Sequence, residues 1–195
     1  MKNVYIFFIL AIIYSCNLLQ AQIISGSKAK AVIKTAESVA LINDDYLPSY
    51  IKFTKGEEIE LESLQSWLNN NFKLSPGFGL KLIRSENDQY GYTHYRYRQT
   101  LNGHPVLGGD YIAHVIKNKI ISLNGKIRKY IEPQTNIGLT ESAAILYALD
   151  YVKASQYKWQ IPEEEKFIKY ITGNPDTTFY PKGELTIVPE KGDFS

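Results

Sequence analysis

Three histidines, His94, His104 and His114, recur at intervals of ten residues, and imidazoles at regular spacing first suggest metal ligation. A closed metal site needs several converging ligands, usually with thiolate or carboxylate among them. His104 follows Asn102-Gly103 and belongs to a turn, and no acidic or thiol ligands gather beside His94 and His114 in the sequence. The three read as isolated surface or edge-strand histidines, and no metal ligand is assigned. Residues 90–98 interleave tyrosines with arginines, the composition of a sheet that stacks nucleobases. Strand alternation, however, sends Tyr95 and Tyr97 to one face and His94, Arg96, Arg98 and Thr100 to the other, so rings and cations do not converge on one ligand. Glu163-Glu164-Glu165 reads as a solvated helix start rather than a general-acid pair. The sequence has no His-Glu-x-x-His, glycine-rich phosphate loop, Gly-x-Ser-x-Gly elbow or paired-cysteine motif, and no catalytic residue is assigned.

The elements that must position these residues are mostly strands. Residues 95–125 read as three short strands joined by tight turns. Asn102-Gly103 lies between two β-rich runs, and both residues tolerate the positive φ of a type I′ hairpin. Gly108-Gly109 interrupts an apolar strand, where a bulge or a close backbone approach is the usual reason. Asn124-Gly125 supplies a second turn signal. An antiparallel meander follows. Ahead of it, Leu61, Leu64, Leu68 and Phe72 make one apolar stripe of a helix over residues 58–72, with Glu57, Glu58, Glu60 and Glu62 near its positive end. Ser75-Pro76-Gly77 ends that helix. Phe78, Leu80 and Leu82 then alternate along a strand, and Ile121, Leu123 and Ile127 share one side of a later one unless a bulge intervenes. Residues 23–55 are weakly patterned and read as an arm lying on a surface.

A break at residues 132–136 opens a second unit. Thr140 caps a helix with Glu141 in its first turn and a stripe of Ile145, Ala148, Leu149 and Val152. Pro162 starts a shorter helix that Gly173 closes, and residues 177–180 and 184–188 read as two strands. Two helices and two strands close a poor core, so this unit is expected to be cut mid-domain. The fold class is α+β: a helix packed on an antiparallel sheet, then a second, truncated α+β unit.

Charge is nearly balanced, with 22 Lys and Arg against 20 Asp and Glu, which argues against a general affinity for nucleic acid. An apolar run over residues 4–14 behind Lys2 is too short to span a membrane and fits a signal-peptide core, with cleavage after Ala21. Residues 13–16 are similar to a lipoprotein cleavage box apart from the bulky Tyr14, so anchoring through Cys16 is the alternative. Cys16 is the only cysteine, and a chain beginning at Gln22 has none, so no disulfide staples it.

The order Arg96…Gln99…Asn102-Gly103-His104-Pro105-Val106…Gly108-Gly109…His114…Asn124-Gly125 resembles the fungalysin/thermolysin propeptide domain of thermolysin-like metallopeptidase precursors. Leu107 stands where that family commonly has an aromatic. Residues 139–144 and 179–185 are similar to parts of the PepSY domain that follows in such precursors. Beyond the signal peptide expected at 1–21 and the arm at 22–56, the resemblance implies a propeptide domain at 57–132 and a partial PepSY domain at 139–195. It implies a secreted, monomeric prodomain that chaperones and inhibits its protease domain in cis, with no cofactor in this chain and zinc in the protease domain. Nucleic acid and a membrane span are not expected. Arg96, Gln99 and His114 are the candidate protease contacts. Arg96 and Gln99 either meet the protease or fix the sheet, and His114 either caps a structural hydrogen bond or faces the partner. Asn102, Gly103, Gly108, Gly109, Asn124 and Gly125 are structural motif positions. The alternative is a free-standing secreted or lipid-anchored inhibitor acting in trans.

Overall fold

The computed structural model describes residues 23–133 and 138–188. The expected leader, its cleavage site and Cys16 lie outside the described residues. In chain order the elements are β1 (Ile23–Ser25), α1 (Ser27–Val32), β2 (Ala36–Ala40), β3 (Tyr50–Phe53), β4 (Ile59–Glu60), a 3-10 turn, α2 (Leu64–Asn71), β5 (Phe78–Asn87), β6 (Thr93–Leu101), β7 (His104–Ile116), β8 (Lys119–Lys126), α3 (Glu141–Val152) and α4 (Pro162–Thr172). All eight strands join one sheet in the order β1-β2-β3-β8-β7-β6-β5, with β4 also pairing β8. Each of these neighbouring strand pairs is antiparallel.

The long meander β5 to β8 forms because its turns suit the chain locally. Asn102 and Gly103 have φ of 51° and 83°, the signs a type I′ hairpin needs. Asp88 turns β5 into β6, its Oδ1 accepting the N–H groups of Tyr90 and Tyr92 at 2.8 and 3.0 Å. The β7–β8 turn is made by Lys117 and Asn118, both at positive φ. Asn124-Gly125 is therefore no turn: it lies inside β8. Lys117-Asn118 lacks glycine, which is why composition pointed to the wrong pair.

Residues 23–55 are not a surface arm. β1, β2 and β3 extend the sheet, and Ala29, Ile33, Ala36, Val39, Leu47, Ile51 and Phe53 are buried in the same cluster as Tyr111, Ala113, Val115, Ile120 and Leu123. Four of the five residues of β2 are buried, so the two-residue alternation that announces a half-exposed strand is missing. The predicted helix over 58–72 starts later, because Ile59 and Glu60 pair with Ile120 and Lys119 instead. Its stripe holds: Leu64 and Leu68 are buried, Leu61 and Phe72 partly so. An eight-residue helix is too short to stand alone, and Trp67, edge-on to Phe53 at 5.2 Å, helps hold it to the core. In β8 a bulge does intervene. The register shifts between His114 and Val115, so Ile120 and Leu123 face the core and Ile121 does not share their burial.

Farther on, Thr140 caps α3, its hydroxyl accepting the Ala143 N–H at 3.2 Å, and Gly173 ends α4 at φ 63°. Ile145 is buried, whereas the rest of the expected stripe is at least partly open, with Val152 exposed. Residues 177–180 and 184–188 are not strands. A single parallel bridge joins Ile187 to Val106, and the Lys81–Glu184 ion pair at 3.6 Å adds to it. Among the described residues, no helix is long and apolar enough to cross a membrane.

A candidate interface on the polar face of the sheet

The face of the meander opposite the core carries rows set by register. One row runs Glu86, His94, His114, Ser122, Lys52 from β5 across to β3. The next runs Arg84, Arg96, Ile112, Asn124, Tyr50, and a third Lys81, Arg98, Asp110, Lys126. Strand pairing thus brings residues as distant in sequence as Tyr50 and Asn124 onto one surface.

Arg98 meets Asp110 in a two-pronged pair, Nε to Oδ1 at 2.8 Å and Nη2 to Oδ2 at 3.2 Å, the geometry that favours arginine over lysine. Arg96 reaches the same carboxylate at 3.5 Å. Both arginines are about one-third exposed, so the pairs fix orientation more than they stabilise the fold. Asp110, which sequence reasoning missed, is the hub. The carboxylate holds the Arg98 guanidinium further above its usual range.

His94 and His114 are not isolated. They sit directly across β6 and β7, with Nδ1 atoms 2.7 Å apart and rings edge-on. His94 Nε2 meets Asp88 Oδ2 at 3.0 Å, and His114 Nε2 meets Asn124 Oδ1 at 2.5 Å. Burial alone would raise the Asp88 carboxyl, but the His94 contact and the two turn amides outweigh it and hold it low. His104 stays apart, exposed; it is no turn residue but opens β7 opposite Leu101. The interval of ten was no guide; cross-strand register was.

Gln99 does not belong to this face. It is 2% exposed, its Nε2 donating to the Arg128 carbonyl at 2.7 Å and its Oε1 accepting the Arg128 N–H at 3.1 Å. The side chain thereby ties the Arg128 backbone to β6 from inside the core. Parity carried the signal: residue 99 shares the strand face of Tyr95 and Tyr97, not that of Arg96. The glycine pair makes room for it. Opposite Gln99, β7 bulges across residues 106–109. A Cβ on Gly109 would meet Gln99 at 2.8 Å, and Gly108 stands at φ 77°. The bulge's backbone is satisfied from outside, since Leu107 N–H donates to the Ile187 carbonyl and Ile187 N–H to the Pro105 carbonyl, each at 2.9 Å. Gly125 admits Tyr111, because a Cβ there would overlap the Asp110 carbonyl and press on the Tyr111 ring. Tyr111 is fully buried, donates its hydroxyl to the Pro48 carbonyl at 2.5 Å, and burial pushes its phenol far up.

The surface therefore offers oriented charges and hydrogen-bonding edges, the equipment of recognition. Among the described residues, no group of three or more His, Cys, Asp or Glu is arranged to hold a metal. The profile of the Fungalysin/Thermolysin Propeptide Motif matches residues 78–127, which is β5 through the end of β8. Residues 78–127 are a fungalysin/thermolysin propeptide domain. Bacillolysin from Bacillus amyloliquefaciens is 35% identical over 78 residues, covering 38% of this chain and 15% of that protein. Bacillolysin from Bacillus subtilis (strain 168) is 35% identical over 69 residues, covering 35% and 13%. The chain thus matches only a small part of these relatives' length. No solved structure matches it significantly. Residues 23–77 lie outside the matched motif but share its core.

Proposed function

We propose that this chain is the N-terminal propeptide region of a secreted thermolysin-like zinc metalloprotease, and that it assists folding of the protease domain in cis and inhibits it. The observation that carries this reading is the propeptide motif at residues 78–127 coinciding with a meander that turns an oriented polar face away from its core. A scaffold that binds the folded protease lowers that state relative to unfolded forms, and the same affinity keeps substrate out. Arg96, with Arg98 and Asp110 beside it, and His114 lie on the face that meets the protease. Gln99 and the glycines hold that face in shape. α2 packs on the sheet, supported by Leu64, Leu68 and the Trp67–Phe53 contact. Residues 139–195 contribute the first part of a PepSY domain, a reading supported by the capped helices α3 and α4 and their open apolar side chains. Zinc and the catalytic groups belong to the protease domain, and a leader at 1–21 directs export.

The test mixes the purified chain with a thermolysin-like metalloprotease and follows peptide hydrolysis, with the chain alone and zinc as the control. The expected result is inhibition that rises with chain concentration and no hydrolysis by the chain itself. Chelator-sensitive hydrolysis by the chain alone would overturn the reading.

A further inference from the structure

We propose that His94 and His114 form a two-imidazole binding site for a divalent first-row transition-metal ion such as zinc, nickel or copper, the class that imidazole suits. The site goes beyond the prodomain reading and stands or falls without it. Both outer ring nitrogens face oxygens, His94 Nε2 facing the Asp88 carboxylate at 3.0 Å and His114 Nε2 facing Asn124 Oδ1 at 2.5 Å. With each Nε2 donating to the oxygen it faces, the Nδ1 lone pair of each neutral ring is the free one. The two Nδ1 atoms are directed at each other 2.7 Å apart. A hydrogen carried by one of them makes the contact a hydrogen bond, and a metal ion between the two nitrogens would replace it.

The partners of the outer ring nitrogens are of the kind a ligating histidine uses. A ligating histidine usually donates its other N–H to a carboxylate or amide oxygen, which fixes tautomer and ring orientation and raises ligand basicity. Asp88 does this for His94 while its other oxygen is anchored by the Tyr90 and Tyr92 amides at 2.8 and 3.0 Å. Tyr92 stacks on the His94 ring at 6.2 Å. Two Zn–N bonds of about 2.0–2.1 Å at a tetrahedral angle separate the nitrogens by about 3.3 Å, so the rings part by roughly 0.6 Å from the 2.7 Å recorded. The His94 side chain is 31% exposed, which leaves a path for the ion and room for water to complete its coordination. Glu86 lies opposite His94 in the register, and the nearest cation along the row, Lys52, is engaged by Glu37 at 2.9 Å.

Zinc chloride titrated calorimetrically into the purified full chain tests the site. One zinc ion per chain is expected, bound at least tenfold more weakly by His94→Ala and by His114→Ala and unchanged in His104→Ala. Asn124→Ala, which removes only the oxygen orienting His114, weakens it by about tenfold. Melting curves without metal show that each variant is folded. If a variant is not folded, ¹⁵N spectra of the unsubstituted chain decide, with zinc shifting Nδ1 of His94 and His114 and leaving their Nε2–H in place. Absence of binding, equal loss in His104→Ala, or zinc shifts confined to His104 would overturn the proposal.

Discussion

At the scale of residues, the meander is locked by buried side chains and close backbone approaches. Gln99 closes two backbone hydrogen bonds at Arg128 from inside the core. Gln99→Ala strips both and empties the space of a buried side chain, so a loss of about 2–4 kcal/mol is expected. Urea denaturation reads this as a lower midpoint at unchanged slope. Gly125→Ala, which drives a methyl into the Asp110 carbonyl and the Tyr111 ring, is expected to cost about as much, through strain rather than lost bonds. A variant at either position that melts with the parent would contradict this packing. Arg96 and Gln99 were both legible as motif residues, but only alternation separates their faces. His94 and His114 were visible as residues and invisible as a pair, because cross-strand register depends on bulges that composition does not reveal.

At the scale of elements, the helix ends were legible because capping is local. Thr140 before α3, and Pro162 and Gly173 around α4, act within one turn of where they stand. Short strands were not legible. β2 hides Ala36, Ser38, Val39 and Ala40, small residues whose burial leaves no alternating pattern. The β7–β8 turn was missed because Lys117 and Asn118 adopt positive φ without glycine. That turn carries a pH-dependent tie: the Asn118 amide donates to both Glu62 oxygens at 2.9 Å. The bond holds the Glu62 carboxyl below its ordinary 4.5. A carboxyl lowered in the folded state contributes stability above its unfolded value and loses it as pH falls through the folded one. Asn118→Gly keeps the turn and removes the bond. The difference in urea midpoint between neutral and acidic solution is therefore expected to shrink in this variant. An unchanged difference would show that the tie contributes nothing.

At the scale of the whole molecule, residues 23–127 share one buried cluster, whereas residues 138–188 bury little of their own. Tyr151 and Tyr170 on α3 and α4 are 90% and 83% exposed, while Tyr111 in the sheet is 0% exposed. Local opening should therefore come first in the helical part. Chymotryptic digestion is expected to cut at Tyr151 and Tyr170 well before any tyrosine of β6 or β7, leaving a protected fragment that contains the sheet. Early cleavage within β6 or β7 would contradict that division. The propeptide motif was legible because its turns and glycines follow one another along the chain. That residues 23–55 complete the same core was not, because those contacts are distant in sequence.

The most direct measurement is the refolding yield of a denatured thermolysin-like protease domain with and without this chain. Protease activity is assayed after the chain has been digested away. The prodomain account predicts a higher yield of active protease when the chain is present during refolding. Equal yields with and without the chain, at concentrations where both are soluble, would contradict it.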